Sequence, residues 1–199
     1  MRNKFIKIIL MVLLCFVLMP YLYACKSGNT NGDSINDITY ESKYTSKEII
    51  DAIIAAYKPE DIPEDTYFEY FFSGVDENSD NYLEPEKAGR MINGNTAPVK
   101  EFDYLEDFAF YIPIGKHFFE VNVTKIKEGE EQNIDSVKDI LDKRIKRKDS
   151  GDIRAYSQHE VPLIENAKII TIGRYVILLV TTDNSKAENV INDMIKSEK

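Results

Sequence analysis

Tryptophan is absent, cysteine and histidine occur twice each, and cations are outnumbered, with 25 Lys and Arg against 34 Asp and Glu in 199 residues, a formal charge of −9. The shortage of positive charge argues against a nucleic-acid footprint, because phosphate binding is driven by counterion release at clustered Lys and Arg. Nine glycines are present, and none has the spacing of a phosphate-binding loop or a dinucleotide fingerprint. No nucleophile motif accompanies His117 or His159, so the sequence supplies no Ser, His and acid triad. The carboxylates are numerous, but no pair stands out as a glycosidase pair would. The reading that follows is not an enzyme, with a small cell-wall hydrolase as the lowest-ranked alternative.

A membrane span is also lacking in its usual form. The one long uncharged apolar run, Ile8 to Met19, follows Arg2, Lys4 and Lys7, the layout of a secretory signal. The run is too short to cross a hydrocarbon core of ~30 Å without the residues after it. Those residues end in Leu22-Tyr23-Ala24-Cys25, which resembles the bacterial lipobox: an aliphatic residue, a tolerant position, a small residue, then cysteine. Tyr23 is larger than the usual occupant of its place. The resemblance implies cleavage between Ala24 and Cys25 and a diacylglyceryl group on the Cys25 sulfur. An ordinary thiol after a standard signal, or an uncleaved anchor, is the alternative. Two acyl chains of the palmitate kind, at ~0.8 kcal/mol per buried methylene, anchor stably where one is marginal. Cys15 would leave with the leader and Cys25 would be acylated, which excludes disulfides, zinc-thiolate sites and cysteine nucleophiles from the remainder. The expected location is the extracytoplasmic face of the cell membrane. The membrane is met through the lipid, because a chain this acidic is repelled by anionic headgroups.

The organisation predicted is a signal peptide over 1–24, the lipidated cysteine and a flexible tether over 25–43, and one domain over 44–199. The tether reading rests on a run rich in Gly, Asn and Ser from Lys26 to Asp37. Thr45 and Glu48 have the spacing of a capping box before Ile49, Ile50, Ile53, Ile54 and Tyr57, and Pro59 stops that helix. Tyr67 to Phe72 reads as a strand whose aromatics serve the core, or else as an exposed aromatic patch. Glu84 to Ile92 reads as a short helix and Phe108 to Ile112 as a strand. Phe119, Val121 and Val123 alternate with Glu120, Asn122 and Thr124, the period of a half-buried strand. Val137, Ile140, Leu141 and Ile145 mark a helix ending in Lys143, Arg144, Lys146, Arg147 and Lys148. A hairpin around Gly173-Arg174 and a helix burying Val190, Ile191, Met194 and Ile195 complete the chain. The fold class expected is α+β, a small, mainly antiparallel sheet with helices packed on one face.

Phe110-Tyr111-Ile112-Pro113, the strand from Glu120 to Lys125, the helix ending in Lys143-Arg144, the spaced Tyr156 and Pro162, and Gly173-Arg174-Tyr175-Val176 resemble a lipoprotein family of low-GC Gram-positive bacteria, the domain of unknown function numbered four-three-five-eight. The resemblance covers most of Thr45 to Lys196. It implies a surface lipoprotein and carries over no catalytic residues.

Two charged segments remain. Asp76, Asn78, Asp80 and Glu84 fall at positions one, three, five and nine of a loop similar to the EF-hand calcium loop. Asn81 stands where that loop turns on glycine and Lys87 replaces its bidentate glutamate, so a solvated acidic loop is the favoured reading and Ca2+ the alternative. Ten acidic residues and no basic one lie between Glu60 and Glu86, a repulsion that a divalent cation or a basic partner would relieve. The basic run from Lys143 to Lys148, with Arg154, reads as a solvated helix end facing that acidic segment. The alternative is a site for anionic wall polymer, phospholipid headgroups or an acidic domain. The functional expectation is a membrane-anchored, non-enzymatic binding or assembly module with an unidentified protein or cell-wall partner and no cofactor. A cation-responsive domain is the runner-up.

Overall fold

In the computed structural model, residues 43–64, 66–94 and 98–196 are described, with the backbone alone at 152, 153 and 196. Helix α1 (Ser46–Ala56) starts at the expected capping box, in which the Thr45 hydroxyl accepts the Glu48 amide at 3.2 Å and the Glu48 carboxylate accepts the Thr45 amide at 2.8 Å. Both bonds satisfy donors that a helix N-terminus otherwise leaves unpaired. A second anchor is supplied by the sheet: buried Asp107 accepts the Ser46 amide at 2.8 Å.

Strand β1 (Phe68–Phe72) is followed by an acidic loop and α2 (Pro85–Ile92), then by β2 (Leu105–Pro113) and β3 (Glu120–Ile126). Helix α3 (Ile134–Lys148) leads into two short helices, α4 (Gly151–Tyr156) and α5 (Val161–Glu165). The hairpin of β4 (Lys168–Ile172) and β5 (Tyr175–Val180) and the final helix α6 (Asn184–Lys196) close the chain. The five strands form one antiparallel sheet in the order β1-β2-β3-β5-β4. A side chain at Gly74 (φ +76°) would meet Asp107 Cβ at 2.6 Å, so the turn after β1 requires glycine to close against β2.

The α+β class and the antiparallel sheet are as expected, but the layering differs. Helices cover both faces of the sheet, not one. Val121, Val123, Tyr175, Ile177 and Leu179 pack with Ile49, Ile50 and Ile53 of α1 and Ala187 and Ile191 of α6. Phe108, Phe110, Val176, Leu178 and Val180 pack on the other side with Ala88 and Ile92 of α2, Val137, Ile140 and Leu141 of α3 and Ile164 of α5. The physical reason is visible in β3 and β5, which are buried at every position. A strand covered on one face alone would expose alternate residues. The alternation in β3 therefore does not mark a half-buried strand: Glu120, Asn122 and Thr124 are as buried as the valines between them.

Candidate functional site

The expected residues separate into groups. Ala24 and Cys25 lie outside the described residues. Asp76, Asn78, Asp80 and Glu84 share the loop between β1 and α2, which folds as successive turns. Ser79 donates to the Asp76 carbonyl at 3.0 Å, Tyr82 to the Ser79 carbonyl at 2.9 Å, and the Asn81 amide to the Ser79 hydroxyl at 3.2 Å. The residue with left-handed backbone is Asp76 (φ +42°), not Asn81, where an EF-hand loop makes its turn. Among the described residues no group of three or more His, Cys, Asp or Glu side chains is placed to hold a metal ion.

The basic run has a different fate from the solvated helix end expected of it. Lys146 pairs with Asp142 one turn back at the surface, and Arg147 donates to the Ile92 carbonyl at the end of α2 at 2.6 Å. Arg144 and Lys148 turn inward and meet Glu120 at the start of β3, the middle strand of the sheet. Glu120 is fully buried. Its Oε1 accepts Arg144 Nε and, at 2.6 Å, Asn122 Nδ2, while its Oε2 accepts Arg144 Nη2 at 2.9 Å and Lys148 Nζ at 2.7 Å. Four donors therefore occupy the roughly four lone-pair directions of one carboxylate. Burial alone would raise the Glu120 carboxyl, but the charges and hydrogen bonds of Arg144 and Lys148 override it and hold its pKa down at about 2. Burial also lowers the Lys148 ammonium, against the pull of Glu120. Asn122 Oδ1 is the one buried side-chain polar atom without a hydrogen-bond partner among the described residues.

The polar network continues toward the surface. Lys148 also donates to the Phe118 carbonyl at 3.3 Å, and the Phe118 amide donates to buried Glu160 at 2.7 Å. Glu160 meets His117 Nδ1 at 2.6 Å, and His117 Nδ1 lies 3.3 Å from the Thr66 hydroxyl. His159 is largely exposed, with Nε2 3.6 Å from Glu160. Thus the two histidines converge on one carboxylate, and neither adjoins a serine or cysteine in these contacts. The arrangement can lock the loop between β2 and β3 against α3 and the turn before α5. The Ser157 hydroxyl donates to the Lys116 carbonyl in the same strap.

Part of this cluster was readable in the sequence. Val137, Ile140 and Leu141 set an inward stripe on α3 that Arg144 and Lys148 continue at helical spacing. Glu120 gave no comparable signal, since a polar set of period two reads the same whether it faces water or a helix bearing cations.

Two surface grooves are present, the first touching the polar network at Thr66, 3.3 Å from His117. One, of about 590 Å³, runs past Pro59, Glu60, Pro63, Glu64, Phe68 and Tyr111. The other, of about 300 Å³, lies at the start of α6 beside Asn166, Lys168 and Thr182.

Residues 101–181 match the model of the family described as Domain of unknown function (DUF4358). The matched span contains β2 to β5, the Glu120 cluster and the His117–Glu160 pair, whereas α1, β1, the acidic loop and α6 lie outside it. No curated protein and no solved structure matches the chain.

Proposed function

We propose that the chain bearing this domain of unknown function is a binding or assembly module, not an enzyme, displayed on the extracytoplasmic face of the membrane by a diacylglyceryl group on Cys25. The observation that carries the non-enzymatic part is the saturation of Glu120. Glu120 is fully buried, and a carboxylate accepting from Arg144, Lys148 and Asn122 has no lone pair left for general-base work. The anchoring part is supported by the sequence alone: the positive start, the short apolar run and Leu22-Tyr23-Ala24-Cys25. A lipid-held domain this acidic stands off anionic headgroups and presents its surfaces to proteins or wall polymers.

The test is the intact mass of membrane-extracted protein beside a Cys25→Ala variant, with fractionation of both. The expected result is a mature chain beginning at Cys25 with a diacylglyceryl adduct, lost together with membrane retention in the variant. An unmodified chain sinks the anchored reading. Hydrolysis of wall fragments or esters by the purified protein, abolished by one substitution, sinks the non-enzymatic one.

A further inference from the structure

Strand β1 is the edge of the sheet beyond β2, and its outer side is half closed. In antiparallel pairing alternate residues point their backbone groups at the neighbouring strand. Tyr67 accepts the Ile114 amide at 2.7 Å and Ser73 donates to Phe108 at 2.9 Å, so the groups of Phe68, Tyr70 and Phe72 face outward. Those of Phe72 are taken: its amide donates to Asn81 at 3.1 Å and its carbonyl accepts from Leu83 at 2.9 Å. The outward amides and carbonyls of Phe68 and Tyr70 have no backbone partner among the described residues.

Three large apolar side chains are exposed in the described protein, and all lie at this end of the sheet: Tyr67 at 72%, Ile114 at 50% and Tyr156 at 71%. Tyr67 and Ile114 are the hydrogen-bonded pair just named. Tyr156 is brought to the same end by Lys116, whose ammonium sits 3.3 Å from its ring centre. On the opposite face of β1 lies the groove holding Phe68 and Tyr111, whose rings stack at 4.2 Å. The open edge thus has an apolar shelf on each side. Natural edge strands are commonly blunted by lysine, proline or a bulge; β1 carries none of these, only the exposed Glu69.

Charge selects the occupant. Glu60 and Glu64 line the groove beside Phe68 and exposed Glu69 lies on β1 itself, in a segment with ten acids and no cation between Glu60 and Glu86, while Lys47, 5.5 Å from the Tyr70 ring, is already paired with Asp51. A second copy of β1 would bring like charges together, whereas an extended basic chain would neutralise them. We infer that the β1 edge receives an extended, lysine- or arginine-rich segment of a partner protein as a sixth strand, bonded to the backbone of Phe68 and Tyr70 and flanked by Glu64 and Glu69. This rests on the binding-module reading and names its surface. Strand addition derives affinity from main-chain bonds and specificity from alternate side chains.

The probe is a nine-residue peptide alternating lysine and valine, titrated against the full-length protein in detergent, with hydrogen exchange read at single amides. Its expected behaviour is saturable binding, slowed exchange at Phe68 and Tyr70, and about tenfold weaker binding to the Glu64→Lys/Glu69→Lys variant. Peptides N-methylated at alternate amides should bind in one frame and fail in the other, since only one frame faces β1. Exposed charge reversals leave the core untouched, and an unchanged melting temperature confirms that the variant is folded. The inference is overturned by absent binding, by equal binding of a glutamate–valine peptide, or by protection at Ile169 and Thr171 of β4 instead. Failure here with the Cys25 adduct intact rejects this surface and leaves the anchored reading standing; an unmodified Cys25 with binding at β1 does the reverse.

Discussion

On the face of the sheet covered by α1 and α6, valines and isoleucines of β3 and β5 meet Ile49, Ile50, Ile53 and Ile191, and the buried polar groups are dispersed: the Tyr175 hydroxyl donates to the Tyr44 carbonyl at 2.6 Å, Asp107 accepts the Ser46 amide at 2.8 Å and Lys125 pairs with Glu106 at 2.9 Å. On the face covered by α3, the same strand β3 presents Glu120, Asn122 and Thr124, and α3 answers with Arg144 and Lys148 beneath its apolar turns. The first face fails by forming cavities, at a cost set by lost contacts. The second fails by leaving a charge unpaired, at a cost set by desolvation. Both faces hold a buried carboxylate, but with opposite sign: burial raises Asp107 beneath α1, whereas Arg144 and Lys148 hold Glu120 beneath α3 far below its ordinary range.

The largest effect that separates the faces is expected at Arg144. Arg144→Ala removes the two-pronged partner of a fully buried carboxylate and should cost about 4 kcal/mol in denaturant unfolding. Adding Glu120→Gln should recover part of that loss, because the charge left unpaired is then gone. Simple additivity of the two changes would break the comparison.

Acid comes next. The Glu120 pKa is lowered to about 2 from an ordinary 4.5, so its contribution is fully present above ~4.5 and is lost as pH falls toward ~2. The loss should be about 3 kcal/mol. Asp107, which burial pushes up against its hydrogen bonds to Ser46, has the opposite sign and blunts the fall. Unfolding free energies followed from pH 5 to pH 2 in the parent and in Glu120→Gln isolate the Glu120 share, and equal slopes would contradict it.

On the apolar face, Ile53→Val should cost about 1 kcal/mol and the same at pH 3 as at pH 7. A marked pH dependence there would mean that Ile53 is coupled to Asp107 on its own face or to Glu120 on the other. The smallest effect is expected outside both: millimolar Ca2+ should leave the melting temperature unchanged, since a ligand that binds only the folded state must raise it. A rise abolished by Asp76→Asn would return the acidic loop to consideration.

The apolar face was the more legible one. Thr45 and Glu48 announced α1, a two-residue turn with Gly173 at φ +54° joined β4 to β5, and an uninterrupted apolar run made β5 central. Each of these signals is local, since caps, turns and periodicity act within a few residues. The charged face was legible only from its helix side, because its logic spans the distance from β3 to α3: Glu120 looks like a solvent residue until Arg144 and Lys148 are placed above it. Helices α4 and α5, of six and five residues, are too short to show a helical period. In the loop residues 76–84, spacing alone could not say which residue takes the left-handed turn, which falls at Asp76.

The claim on which the comparison turns is that each buried charge matters to the fold through its partners, so that losing one is costly and losing all together is not. The most direct measurement is denaturant unfolding of the triple variant Glu120→Gln/Arg144→Met/Lys148→Met beside Arg144→Ala. The account predicts a triple variant within about 1 kcal/mol of the parent or more stable, because all the charges leave together, with the exchange pattern of β3 and β5 retained. A triple variant as unstable as the single one would contradict it.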